Sequence, residues 1–281
     1  SKYQWLPAEL DVDEAGKAKF VSYINNLPSS EPHYRLLERL FSRTLPLFES
    51  VYGYAQAFTP YTDGAEWDDS IARLQLSGPV EPISLKGRRL QVIPKMVQYE
   101  IPADAELGFE MVWHVEGMSH ENVVATAVFE LERDRELKGG ALQFQRGYTA
   151  DEGARLFTNA PQSRPAAIGR FIEKGVIPIG TLQEGYGSGR VTVFPNSHIH
   201  RVTPLHRATW NTEPRTAPLI RRIVVLWLVD PEVRIRSTAD VPVQQGVMPH
   251  EEALANRLAL MEERRISKQT QNVRVVSLCE H

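Results

Sequence analysis

Hydrophobic residues in the first third of the chain recur at helical spacing. In DEAGKAKFVSYINNL, Phe20, Tyr23, Ile24 and Leu27 fall on one helical face, and HYRLLERLFSRTLPLFESVY repeats the pattern more strongly. Two amphipathic helices are predicted, separated by Pro28 and the serines after it. The polar stretch TPYTDGAEWDDS leads away from them. From about residue 88 the pattern becomes alternating or continuously apolar. Candidate strands are RRLQVIPKMVQYEI, NVVATAVFEL, ALQFQRG, GRVTVFP, HIHRVTPL and RRIVVLWLVD. An insertion from Thr149 to Gly175 interrupts them and is long for a passive connection. After Pro249, HEEALANRLALMEERR carries Leu254, Leu258 and Met261 on one helical face. One domain is expected over residues 1–281: a helical flank over 1–80, a β core over 88–236 and a C-terminal helix over 249–268. The pattern of that last helix suits either covering the core or pairing with a second copy in a homodimer.

Composition narrows the function classes. With 42% hydrophobic and 24% charged residues, the 281-residue chain can bury a full core. A net charge of −3 provides no basic field for nucleic acid or a membrane surface. The single Cys279 excludes an internal disulfide framework and a multi-cysteine metal site. No apolar run is long enough to span a bilayer and no signal peptide is visible, so a cytoplasmic location is expected.

One constellation carries chemistry. His114 and Glu116 stand two positions apart, just before an alternating run, and side chains at i and i+2 of extended backbone point the same way. Two histidines and one carboxylate bind Fe(II) and leave open positions for a co-substrate, substrate and oxygen. VTVFPNSHIHRVTP offers His198 and His200 as the second histidine. His200 is favoured because it opens an extended HRVTP, whereas His198 follows the turn-like FPNS and suits a supporting position. A lone histidine is ordinarily a hydrogen-bonded or surface residue; three ligand types in this order among strands reverse that expectation. If the co-substrate is 2-oxoglutarate, its far carboxylate needs a buried cation, and arginine grips a carboxylate with a planar fork. Arg221 and Arg222 begin a strand, where one faces a cavity and the other solvent. Both have apolar residues on their own face, so hydrophobicity does not choose between them.

The stretches QWLPAEL, SYINNLP, LQVIPKMVQYEI, WHVEGMSHENVVATA, FPNSHIHRV and LVDPEVRIRSTADVPVQQ resemble a largely fungal domain-of-unknown-function family. Its members carry a Trp-His-Val-Glu-Gly-Met motif, and the resemblance covers nearly the whole chain. It implies the Fe(II)/2-oxoglutarate oxygenase superfamily and a mainly β fold with flanking helices: a double-stranded β-helix (jelly-roll, cupin-like) barrel. By position it implies His114, Glu116 and His200 as metal ligands and Arg221 as the 2-oxoglutarate anchor. Many relatives are longer at the N-terminus, and the segment after the motif is Tyr-rich where this chain reads VFELERD.

The expected activity is oxidation of an unactivated C–H bond of a small metabolite, by hydroxylation, desaturation or oxidative ring closure, using Fe(II), 2-oxoglutarate and O2. The resemblance favours secondary metabolism and a substrate such as an amino acid like valine. Gln143 and the loop residues His206, Arg207, Trp210 and Arg215 are the expected substrate contacts, with that loop and the insertion bordering the cavity mouth. The alternatives are a non-catalytic ligand-binding barrel, or a cupin-type metal enzyme that does not use 2-oxoglutarate.

Overall fold

Alternation of buried residues sets the first described element. The computed structural model of the protein describes residues 4–27, 31–57, 80–102, 112–147, 176–183, 189–208, 215–243 and 248–272. Strands β1 (Ala8–Val12) and β2 (Ala18–Phe20) pair antiparallel, with Leu10 opposite Phe20 and Val12 opposite Ala18. All four are buried. This hairpin replaces the first of the two expected helices. At its turn the Asp13 carboxylate accepts the Lys17 N–H at 2.7 Å, and Gly16 adopts φ 83°. That left-handed conformation suits glycine and stops a helix, so local turn chemistry overrides the helical spacing.

The second expected helix forms α1 (Glu31–Ala57). Leu37, Phe41, Leu45, Phe48 and Tyr52 make its buried stripe, with Phe41 and Phe48 stacked at 5.1 Å. The helical flank expected over 1–80 therefore holds a hairpin and one helix among its described residues. TPYTDGAEWDDS lies outside them.

A six-stranded sheet runs in the order β2-β1-β3-β11-β4-β8, adding β3 (Arg89–Ile101), β4 (Val123–Arg133), β8 (Val191–Pro195) and β11 (Leu219–Val229). α1 packs on one face of it, touching β2, β4 and β8. Val224, Leu226 and Leu228 of β11 join the α1 core. Ile223, Val225, Trp227 and Val229 form a separate cluster with Ile93 and Val123. Because β11 is buried on both faces, it reads as a continuous apolar run.

A three-stranded sheet, β7-β6-β9, contains β6 (Leu142–Gly147), β7 (Val176–Leu182) and β9 (Ile199–Val202). Val191 and Val193 of β8 pack with the α1 core, so alternation turns Thr192 and Phe194 to the other side. There Phe194 meets Phe144 of β6 edge-on at 5.2 Å, and the two sheets face each other. A short pair, β5 (Leu137–Lys138) with β10 (His206–Arg207), lies beyond the end of β9.

The chain is mainly β, with a long helix near each end. The second, α2 (His250–Asn272), exposes Leu254, Leu258 and Met261 by 39%, 55% and 58%, so this stripe does not cover the sheets. No helix among the described residues is long and apolar enough to cross a membrane. Phe48→Ala is expected to lower stability by about 3–5 kcal/mol, whereas Leu258→Ala should change it by about 0.5 kcal/mol or less. Urea denaturation of the two variants checks the contrast.

Candidate metal centre

Two histidines far apart in sequence are brought together by the backbone. The N–H of His114 donates to the His200 carbonyl at 3.0 Å, and the N–H of His200 donates to the His114 carbonyl at 2.9 Å. Residues exchanging both bonds in an antiparallel pair stand directly opposite one another, with side chains on the same face. The ring centroids are 4.4 Å apart. Glu116, two positions further on, turns to the same side. Its Oε1 lies 3.7 Å from His114 Nε2 and 3.4 Å from His200 Nε2. One ligand atom from each of the three residues lies within 4.8 Å of the others. Metal–ligand bonds of about 2.0–2.2 Å meeting at right angles put neighbouring donors about 3 Å apart. The observed separations are slightly wider, and the residues fit a divalent ion held on one face.

The surroundings favour that use. His114 Nδ1 lies 2.8 Å from the Val112 carbonyl, and His200 Nδ1 lies 3.4 Å from the His198 carbonyl. A carbonyl only accepts, so each Nδ1 keeps the proton and each Nε2 presents its lone pair. Burial pushes the His200 imidazole below its ordinary pKa although the neighbouring Glu116 carboxylate raises it, favouring the neutral form a metal requires. Burial alone would raise the Glu116 pKa. The imidazoles of His114 and His200 beside it outweigh burial, and the carboxyl sits well below the usual range. Phe194 lies edge-on to His200 at 4.7 Å, walling one side of the site.

The loop carrying Glu116 has no strand partner there and is held by side chains. Asn196 Oδ1 accepts the Glu116 N–H at 2.8 Å, while Asn196 Nδ2 donates to the carbonyls of Glu116 and Val123, both at 2.9 Å. Glu121, fully buried, accepts the N–H groups of Met118 and Trp5 at 2.7 and 2.6 Å. Gly117 adopts φ 69° between them.

Arg221 is buried and Arg222 exposed. Arg221 shares its face of β11 with the Ile223 to Val229 cluster that lies opposite α1. Its Nε and Nη2 donate to Glu130 Oε2 at 2.9 and 2.8 Å, and Arg133 Nη1 approaches the same oxygen at 3.5 Å. Arg222 instead pairs with Glu132 and Gln98 at the surface. Glu130, Arg221, Leu142, Thr192 and Arg190 line a cavity with about 340 Å³ of empty space, part of it open to solvent. Gly140 lines it too, at φ 80°, where a Cβ would come 2.8 Å from Leu205 and 3.4 Å from Arg221 Nη1. Leu142 is two residues along β6 from Phe144, which pairs with His200, so the cavity begins one strand repeat from the triad. Tyr99 faces Arg221, its ring centroid 6.0 Å from the guanidinium carbon. Burial raises its pKa, Arg221 lowers it and Glu116 raises it.

The other expected contacts are not brought to the triad. Gln143 neighbours Phe144 on the opposite face of β6 and accepts Arg201 Nε at 2.7 Å. β9 runs away from the triad beyond His200, so the loop after it emerges at the far end of the strand. There Arg207 pairs with Glu136 at 3.0 Å, and Arg215 pairs with Asp134 at 2.5 Å and Glu136 at 3.5 Å. His206 is exposed on β10, opposite Lys138. The loop was expected at the cavity mouth because it follows His200 in sequence; strand direction carries its described residues away from the triad, and residues 209–214 lie outside the described residues. Trp210 and the insertion from Thr149 to Gly175 lie outside the described residues. His198 is buried, with Nε2 3.2 Å from the Tyr54 hydroxyl, and supports His200 through its carbonyl. Asn196, Tyr99 and Glu130 were not anticipated. Asn196 alone had a visible signal, its place in FPNS beside the histidines.

Fold and site thus define a mainly β protein with a two-histidine, one-carboxylate cluster near a cavity that is partly open to solvent. The chain belongs to the DUF4246 family, described as proteins of unknown function, whose profile matches residues 1–252. No curated protein matches the chain. Among solved structures, a bsmA homolog from Methylobium petroleophilum PM1 is 17% identical, with a TM-score of 0.28. The match covers 53% of this chain and 44% of that one, a likeness too slight to carry an argument.

A Cβ at position 117 would meet Glu121 Oε2 at 3.0 Å and Val123 Cγ2 at 3.2 Å, in a backbone conformation L residues rarely adopt. Gly117→Ala should therefore cost about 1–3 kcal/mol and weaken divalent-ion binding through the displaced Glu116. Thermal melting with and without added Co(II) reads both effects.

Proposed function

We propose that the protein is a non-haem Fe(II)- and 2-oxoglutarate-dependent oxygenase that oxidises an unactivated C–H bond of a small metabolite. The observation that carries this reading is the pairing of the His114–Glu116–His200 cluster with a buried arginine, Arg221, beside a nearby cavity that is partly open to solvent. The strand order supports it. β3-β11-β4-β8 faces β7-β6-β9, and the latter sheet is extended at the His114–His200 bridge, as expected of a double-stranded β-helix.

In this reading His114 and His200 donate Nε2 lone pairs, and Glu116 supplies the anionic third ligand. Arg221 and the nearby Tyr99 would receive the far carboxylate of 2-oxoglutarate, and Phe144 and Phe194 keep water from the imidazole side. Ferrous iron with 2-oxoglutarate would supply the oxidising chemistry, coupling reduction of O2 to loss of CO2 and formation of succinate. A small substrate such as an amino acid suits the lack of a basic field, and the intact carboxylate ligand favours hydroxylation, desaturation or ring closure.

One observation favours a second reading. Glu130 already neutralises Arg221, as it would if the arginine were structural and the protein a metal enzyme with no 2-oxo acid. Anaerobic titration with Fe(II) and then 2-oxoglutarate separates them. The first reading expects a visible charge-transfer band on 2-oxoglutarate addition; the second expects Fe(II) binding without it. Arg221→Lys keeps a charge against Glu130 but loses the planar fork. It should weaken 2-oxoglutarate binding about tenfold or more, roughly 1.4 kcal/mol, while Arg222→Ala leaves it unchanged. Equal effects of the two substitutions would remove Arg221 from the co-substrate site.

A further inference from the structure

The two halves of the cluster are held by different means. The histidines are locked by an exchanged pair of backbone hydrogen bonds, but Glu116 lies outside every strand. Among the described residues, its carboxylate touches only the two imidazoles. The residue after it is Gly117 in the left-handed region, which frees the backbone on that side. The direction of the carboxylate is thus set by whatever fixes the Glu116 main chain.

Glu121 holds the loop further on, at the Met118 N–H, and one amide bonds the Glu116 main chain directly. Asn196 takes the N–H on one side of the Glu116 Cα and gives a proton to the carbonyl on the other, at 2.8 and 2.9 Å. The second bond from Nδ2, to the Val123 carbonyl, ties the loop to β4. An N–H only donates and a carbonyl only accepts, so these partners fix which end of the amide is oxygen. The side chain stands in for a strand neighbour, exchanging both bonds with Glu116 as His200 does with His114. Its own backbone is anchored by a 2.9 Å bond from the Asn196 N–H to the Val124 carbonyl, continuing the pairing of β8 with β4.

We infer that Asn196 is the positioning residue for the carboxylate ligand: it acts on the bound metal through Glu116 and does not itself touch the metal. This rests on the metal-binding reading above. Removing the clamp leaves both histidines in register but lets Glu116 swing on Gly117. Loss of a partner that orients a metal ligand weakens binding by about ten- to a hundredfold.

Co(II), whose visible absorption reports its ligand geometry, is titrated into the full chain. Asn196→Ala should weaken Co(II) binding by that factor and alter the absorption band, while the apoprotein still melts cooperatively. A double-mutant cycle identifies the route. With Glu116→Ala already present, there is no carboxylate to position, and Asn196→Ala should change Co(II) affinity by about twofold or less. An equal loss in both backgrounds would overturn the inference, as would wild-type affinity in the single variant. Asn196→Asp keeps the size and the acceptor and loses both donors, so it carries the same cycle if Asn196→Ala does not fold. A wild-type chain that binds no Co(II) would overturn the metal-binding reading itself, and this inference with it.

Discussion

Two backbone hydrogen bonds between His114 and His200 organise everything at the site. They place two imidazoles side by side from distant parts of the chain, and they set the face to which Glu116 turns. Each such bond contributes a net of only about 0.5–1.5 kcal/mol, so the pair persists because its surroundings are packed. β9 is held by β6, whose Phe144 pairs with His200 and packs against Phe194 of the larger sheet. Gly139 and Gly140 let the entry to β6 pass close to Pro204 and Leu205, where any Cβ would collide. The position of the imidazoles is therefore inherited from the contact between two sheets.

The carboxylate half rests on side chains. Asn196, Glu121 and Gly117 do for Glu116 what the strand ladder does for the histidines. Glu121 also ties the loop to the N-terminal segment through the Trp5 N–H, so residues before β1 help fix the loop that carries Glu116. The local consequence is an asymmetry. The two nitrogens belong to a rigid pair, while the oxygen sits on a loop whose geometry a few polar groups decide.

Much of this was legible in the sequence, and the exceptions have identifiable causes. The His-x-Glu pair and the later His200 stood out because extended backbone aligns every second side chain. The core strands were readable from alternation and turns. The β1–β2 hairpin was not, because Phe20, Tyr23, Ile24 and Leu27 mimic a helical stripe and the decision lies in Asp13 and Gly16. Arg221 and Arg222 could not be distinguished by hydrophobicity because β11 is apolar on both faces. Their difference arises at the end of the strand, where Arg222 reaches surface partners and Arg221 faces the interior. Adjacency to His200 in sequence does not show which way β9 runs, and Arg207 and Arg215 pair with Glu136 and Asp134 away from the triad.

At the deep end of the cavity, Arg133 and Arg221 both approach one carboxylate, Glu130. Arg190, on the solvent side, is screened and counts for little. At the other end Glu116 offsets one of the two charges a divalent ion would bring, with neutral imidazoles completing the set. A buried excess charge is costly unless it is paired. An anionic group reaching Arg221 would therefore have to share it with Glu130, which already takes bonds from its Nε and Nη2.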